Sequence, residues 1–338
     1  MPPWSALPRA RYPGPMFGFI LSRVLQAIPV LLVVGLLSFA LFAYVGDPVS
    51  IMLGQDHTEA QRLALIQQLG LDQPFIVRYT RYLWTALHGD FGLSYRQAQP
   101  VGGLIATRIP ATLELAVTAT VFAFVVGVPM GVYTGIHANS LLSRAFMVIS
   151  LVGVSLPTFL LGILLILIFA VALGWLPSFG RGPVVALGGW WTTGFTSWAG
   201  LRALVLPAVT LGLFQMTLIM RLVRSEMLEV LRTDYIRFAR ARGLTSRSIN
   251  FGHALKNTLV PVITIVGLQF GGIVAFALVT ETVFQWPGMG LLLVQSVAAA
   301  DIPVMSAYLL LIALLFVSIN LVVDLLYYAV DPRLRFGR

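Results

Sequence analysis

Six stretches of the chain are almost unbroken in apolar residues: roughly Phe17–Tyr44, Pro110–Tyr133, Ala145–Leu173, Ala203–Val223, Leu259–Phe284 and Pro303–Val330. About 20 such residues, wound as a helix, cross the ~30 Å of hydrocarbon in a bilayer. The pattern therefore predicts an all-α integral membrane protein with about six transmembrane helices. Polar residues that interrupt the spans include Glu114 in the second, Gln269 in the fifth and Asp324 in the sixth. The run from Val24 to Val45 is too long for the apolar part of a cleaved signal peptide, so it reads as a retained first helix. Residues 1–16 are rich in Pro and Gly and read as a disordered tail, with Met16 an alternative start. The expected organisation is the tail at 1–16, a first helix at 17–45, an extracytoplasmic helical segment at 46–108, and a membrane core at 109–335 with a cytoplasmic loop at 224–258.

Between the first two spans, Thr58-x-x-Gln61 has the form of a capping box, Leu63, Ile66 and Leu69 share a helical face, and Gly70 is a helix stop. A second helix is expected from Pro74, a favoured first-turn residue, to near Gly89. Its Tyr79, Tyr82 and Trp84 suit a membrane interface. The segment reads as a small helical lid on the outer surface, against the alternative of a plain solvated loop. Trp175, Trp190, Trp191 and Trp198 in a later outer segment read first as headgroup-level anchors and second as substrate or partner contacts.

Composition supports the membrane reading. Of the 338 residues, 58% are hydrophobic and 10% charged, where soluble domains carry roughly 25% charged residues. Lys and Arg gather on the cytoplasmic side of a membrane protein, a bias counted mainly in short loops. With the N-terminus inside, the cytoplasmic segments hold Arg9, Arg11, Arg23, Arg144, the cluster from Arg221 to Lys256, and Arg333, Arg335 and Arg338. The short outer segment holds Arg181 and Arg202. The orientation is N-in and C-in. The net charge of +9 thus sorts by membrane side rather than onto one nucleic-acid-binding face, and no nucleic-acid partner is expected. With no cysteine, thiolate metal sites and a cysteine nucleophile are excluded. His57, His88, His137 and His253 lack metal-ligand spacing. An intramembrane enzyme would need paired catalytic groups at membrane depth, and only one Asp lies in a span.

The cytoplasmic segment from Arg221 to Thr258 keeps helical periodicity to about Ala241, where Gly243 supplies a stop and Ser246 a cap for the next helix. Ala239 and Gly243, four apart, offer a face with little bulk, flanked by Arg237, Arg240 and Arg242. Two readings stay open: a knuckle that fits a cleft on a cytoplasmic partner and transmits rigid-body motion, or a basic loop on anionic lipid.

Tyr235-Ile236-Arg237-x-Ala239-Arg240-Ala241-Arg242-Gly243-Leu244 with His253-Ala254-Leu255-Lys256-Asn257 resembles the EAA loop of bacterial ABC importer permeases, most closely B-type subunits of the dipeptide and oligopeptide branch. Gly46-Asp47-Pro48, Leu69-Gly70-Leu71-Asp72-Gln73-Pro74, Gly89-Asp90-Phe91-Gly92-Leu93-Ser94, Pro110-x-Thr112-Leu113-Glu114-Leu115, Glu281-Thr282-Val283-Phe284-x-Trp286-Pro287-Gly288-Met289-Gly290 and Asn320–Asp324 with Asp331-Pro332-Arg333 agree with it in order. Arg237 and Phe238 depart from the Glu and Ala of many permeases, and His253–Lys256 replaces the usual Ile-x-Leu-Pro end. The resemblance implies a type I importer fold in the bacterial cytoplasmic (inner) membrane. It implies an ATPase-coupling loop formed by Tyr235, Arg237, Phe238, Ala239, Arg240, Ala241, Arg242, Gly243, Leu244 and His253. The implied partners are a homologous second permease, two cytoplasmic ATPase subunits that bind ATP and Mg, and an extracytoplasmic substrate-binding protein. The implied cargo is dipeptides or short oligopeptides, with glutathione or nickel complexes as alternatives. The chain has no G-x-x-x-x-G-K-[ST] of its own, so no catalytic residue and no cofactor is assigned to it. A secondary transporter, the alternative class, often shows internal repeats, and none is visible.

Glu114, Gln269 and Glu281 are the candidates for pore or gate, since intramembrane polar groups tend to face a bundle interior or an aqueous path. Gln269 is also expected to hydrogen-bond between helices, Glu281 to be able to meet the binding protein, and Asp324 to form an ion pair or cap near the inner end. Pro29, Pro129 and Pro157 are expected to kink their helices. The Gly-rich stretch Val266 to Val274 reads as close helix packing.

Overall fold

The computed structural model describes residues 16–44, 49, 53 and 58–330. The expected tail, Met16 apart, and the motifs at Gly46-Asp47-Pro48 and Asp331-Pro332-Arg333 lie outside the described residues. The elements are α1 Met16–Tyr44, α2 Glu59–Leu69, α3 Phe75–Leu87, α4 Val101–Ile136, α5 Leu141–Ser155 and α6 Thr158–Leu165. A hairpin of β1 Val185–Gly188 and β2 Trp191–Thr193 follows, then α7 Trp198–Val230, α8 Asp234–Ala241, α9 Leu255–Val283, α10 Met289–Ala298 and α11 Ile302–Val330. The stretches Ile166–Ala172 and Ser248–Ala254 are π-helical, the first continuing α6 and the second leading into α9.

Five helices are long and apolar enough to cross a membrane, and a sixth span exists if α5 and α6 count as one. That pair is bent by 112°. The sequence leads one to expect a single kinked span there, but Leu156-Pro157 breaks it. Proline has no N–H to donate and pushes its predecessor out of helical geometry. Pro29 and Pro129, in contrast, sit inside continuous helices. The second span also begins earlier than its apolar run, since α4 already starts at Val101 within the segment expected as extracytoplasmic.

The lid helices form as read. Thr58 Oγ1 accepts from the Gln61 amide, Gln61 Oε1 accepts from the Thr58 amide, and Gly70 closes α2 in the left-handed region at φ 64°. Tyr79 on α3 donates to the Leu32 carbonyl of α1 at 2.7 Å, and Phe39 packs against Phe75, Tyr79 and Tyr82. The lid is therefore fastened to the first span.

The centre of the bundle is the packing of α4 on α7. Gly127, Gly131 and Gly135 recur every four residues on α4 and face Met216, Ile219, Met220, Val223 and Met227 of α7. In a membrane, helix pairs gain from close backbone approach, which small residues permit. This stripe lies in the second span, whereas the Gly-rich stretch singled out from sequence lies in α9. There Gly267 and Gly271 meet Val323 and Phe316 of α11. The outermost helix, α1, is held to α11 by Arg23 and Asp324 at 3.1 Å, the ion pair expected for Asp324.

The β-hairpin is a departure from an all-helical chain. Val185 pairs with Thr193 and Ala186 with Thr192. Its turn is Gly189-Trp190, and Gly188 and Gly189 both stand at positive φ (137° and 55°), a Gly-Gly hairpin signal that is legible in the sequence.

Candidate functional site

α7 runs past its apolar stretch and ends at Val230. The sequence suggests one helix to Ala241, but the chain turns at Leu231-Arg232-Thr233, where Thr233 is extended (φ −67°, ψ 154°). A residue of N-cap type followed by an acid, Thr233-Asp234, is the overlooked signal. α8 then buries Ile236 and Ala239 against Met227, Ile249 and Ala254. These two residues are three apart and share one helix face. Away from that face the helix is open: Phe238 is 62% exposed and Tyr235 is exposed, as are Leu244 and Phe251 in the turn and helix that follow.

The end of α8 is a Schellman closure. The Gly243 amide donates to the Arg240 carbonyl, the Leu244 amide donates to the Ala239 carbonyl, and Gly243 stands at φ 79°. These bonds satisfy the last carbonyls of the helix and need a left-handed residue. Gly243 is thus selected by its backbone, and a Cβ there would meet nothing within 4 Å. The low-bulk face expected from Ala239 and Gly243 does not form as one surface, because Ala239 points inward and Gly243 lies in the turn. The next helix is capped by Thr245, whose Oγ1 accepts from the Ser248 amide at 3.3 Å, and not by Ser246. Asn257 Nδ2 donates to the Tyr235 hydroxyl at 2.6 Å, which fastens α8 to the start of α9. Arg237 pairs with Asp234 in solvent, and Arg242 covers the Phe238 ring at 5.5 Å. Arg240, Ala241, Arg242 and His253 are exposed. Behind this helix–turn–helix segment lies a cavity of about 690 Å³ whose lining includes Val132, Ile136, His137, Arg240, Ile249 and Phe251.

The three pore or gate candidates separate. Glu114 is buried and accepts from Arg181 Nε and Nη2 at 2.8 and 2.6 Å and from the Gly194 amide at 3.1 Å. It anchors the segment that carries the hairpin to α4. Glu281 is fully buried, so it presents no surface to a binding protein in this conformation. It accepts from Thr112 Oγ1 at 2.6 Å and from the Leu291 amide at 3.0 Å, while the Met289 amide donates to Thr112 Oγ1 and Trp286 Nε1 donates to the Ala111 carbonyl. A carboxylate at the first turn of α10 satisfies its free amides and suits the positive end of the helix dipole. Gln269 stays half-exposed on α9, and the expected interhelical hydrogen bond is not formed among the described residues. Arg181, Thr112 and Trp286 are the residues that sequence reasoning missed here. Thr112 and Trp286 stood in the quoted motifs, but nothing in the sequence pairs positions 169 residues apart.

Residues 127–336 match the family described as binding-protein-dependent transport system inner membrane component, and residues 16–116 match its N-terminal companion. The glutathione transport system permease protein GsiC of Salmonella paratyphi A is 41% identical over 324 residues, covering 95% of this chain and 100% of that protein. The dipeptide transport system permease protein DppB of Alkalihalophilus pseudofirmus is 38% identical over 338 residues, again covering 95% and 100%. An inward-facing structure of the methionine ABC transporter MetNI shares the fold, with a TM-score of 0.54 and 23% identity over 68% of this chain and 96% of that one. The chain therefore belongs to the binding-protein-dependent transport system inner membrane components, as a multi-pass permease of an ABC importer.

Proposed function

We propose that residues 231–255 are the handle by which cytoplasmic ATPase subunits drive this permease, and that its cargo is short peptides. The observation that carries the first part is the two-sided character of α8. Ile236 and Ala239 seat it in the bundle, while Tyr235, Phe238 and Leu244 stand exposed on the cytoplasmic side. Exposed apolar groups gathered at one tip suit a protein cleft better than a lipid surface, which would favour the basic residues alone. The seat is continuous with α7, so a push on Phe238 moves the α4–α7 pair as a body.

In this reading ATP and Mg are bound by two partner subunits, a homologous permease completes the pathway, and an extracytoplasmic binding protein delivers the cargo. The cargo assignment is supported by the dipeptide and glutathione names of relatives about 40% identical, both of which denote short peptides. Gln269 is the candidate retained for the pathway wall. Deleting residues 235–244 should abolish peptide uptake while leaving the chain inserted at normal levels; undiminished uptake would show that force enters elsewhere.

A further inference from the structure

A second cavity, of about 380 Å³, lies at the outer end of the molecule between the lid and the first and last spans. Its lining includes Phe39 of α1, Arg78, Arg81 and Tyr82 of α3, Asp90, and Ser306 of α11. Arg78 and Arg81/Tyr82 are one turn apart on α3, so they share a face. Neither guanidinium is in an ion pair among the described residues. Ser306 is 2% exposed, yet its hydroxyl has no hydrogen-bond partner, and the Tyr82 hydroxyl is likewise buried without one. Buried hydroxyls are normally hydrogen-bonded, and two unpartnered ones here stand beside two arginines on the lining of one cavity. The size falls in the range of small-ligand sites, ~300–1,000 Å³.

Position identifies the source of the anion. Of the residues lining the cavity, none belongs to α4, α7 or α9, the closely packed centre of the bundle. α1 is instead the most lipid-facing helix, with Leu25, Val33 and Leu37 exposed along it, and its outer end forms one wall. A phospholipid lying on α1 brings its phosphate to this level. Arginine forks match phosphate oxygens in pairs. Asp90 also lines the cavity; its Oδ1 accepts from the Gly92 amide, and its charge suits an ammonium.

We propose that this cavity holds the headgroup of an outer-leaflet phosphatidylethanolamine, with phosphate on Arg78, Arg81, Tyr82 and Ser306 and ammonium on Asp90. The test is native mass spectrometry of the full chain, purified with its partner subunits and exchanged into phosphatidylethanolamine or phosphatidylglycerol. The wild type should retain one phosphatidylethanolamine per chain in preference to phosphatidylglycerol. Arg78→Gln/Arg81→Gln should lower occupancy at least about tenfold, the scale of one lost charged hydrogen bond. Ser306→Ala should lower it several-fold. Should the double variant not fold, Ser306→Ala and Arg81→Lys decide the matter by the same measurement. Inorganic phosphate and dialanine should not displace the lipid. Displacement by either, preference for phosphatidylglycerol, or unchanged occupancy in the variants overturns the assignment.

Discussion

A methyl group added at Gly131 tests the central helix contact at its tightest point. It would stand 2.5 Å from Val223 Cβ and 2.7 Å from the Met220 carbonyl oxygen, where real Cβ atoms stay beyond 3.0 Å. Neither neighbour can rotate away, since both are fixed to the α7 backbone, so α4 and α7 must separate. Separation forfeits dispersion along the whole facing surface. Overpacking of this kind costs ~1–3 kcal/mol, against at most ~1 kcal/mol regained from the better helix propensity of alanine. Gly131→Ala should therefore destabilise the chain by ~1–2 kcal/mol, lowering the folded-to-unfolded ratio about 5–30-fold. Gly135→Ala should cost less, because only the Met227 side chain stands close (Cβ at 2.7 Å) and the nearest backbone atom is 3.5 Å away. Val223→Gly should rescue Gly131→Ala only in part, since the carbonyl contact remains. Gly103, helical and exposed with nothing within 4 Å of an added Cβ, is the control. The assay is thermal unfolding of the full chain in detergent micelles. Equal melting temperatures for Gly131→Ala and Gly103→Ala would refute the close-approach argument.

Removing Glu114 leaves the buried Arg181 guanidinium without its counter-charge, so Glu114→Ala should cost ~3–5 kcal/mol. A double-mutant cycle with Arg181→Met should recover much of it, and an additive cycle would contradict the pairing. Gly243→Leu should cost only ~1–2 kcal/mol of stability, from its left-handed backbone, yet sharply weaken ATPase pull-down. Gly243→Asn, which tolerates that backbone, should retain both. Burial, and then the neighbouring Tyr79, push the Tyr82 hydroxyl above its ordinary pKa of 10.0. Above pH ~10 the unfolded chain loses that proton first, so it binds fewer protons than the folded one and stability falls as pH rises. Alkaline titration followed by tyrosinate absorbance should show the lid failing from about pH 10 upward, and Tyr82→Phe should shift the onset to higher pH; an unshifted onset would refute the assignment.

The spans, the lid helices and the basic helix–turn–helix segment were legible because each rests on local pattern: apolar length, charge clustering, caps. What stayed hidden depends on partners far apart in sequence. Glu114 and Glu281 announce themselves as intramembrane charges, and that signal reads the same whether they face an aqueous path or a buried partner. Only the fold reveals Arg181 beside one and Thr112 beside the other. Ala239 was misread for a related reason. A small residue lets something approach, but spacing alone does not say whether the neighbour is another protein or Ile249 of the same loop. The break at Leu231–Thr233 escaped because the helical periodicity continues across it, and the Thr233-Asp234 start signal is a weak one.

The fastening around Glu281 has a consequence for how the outer end can move. The Glu281 carboxylate and the Thr112 hydroxyl each bridge α9, α10 and α4, and the Trp286 indole fastens the turn between α9 and α10 to α4. Slackening any strand of such a knot strands the others, so the three helices have no low-energy half-released state. Whatever opening occurs there should be a two-position snap, and α4 must travel with it.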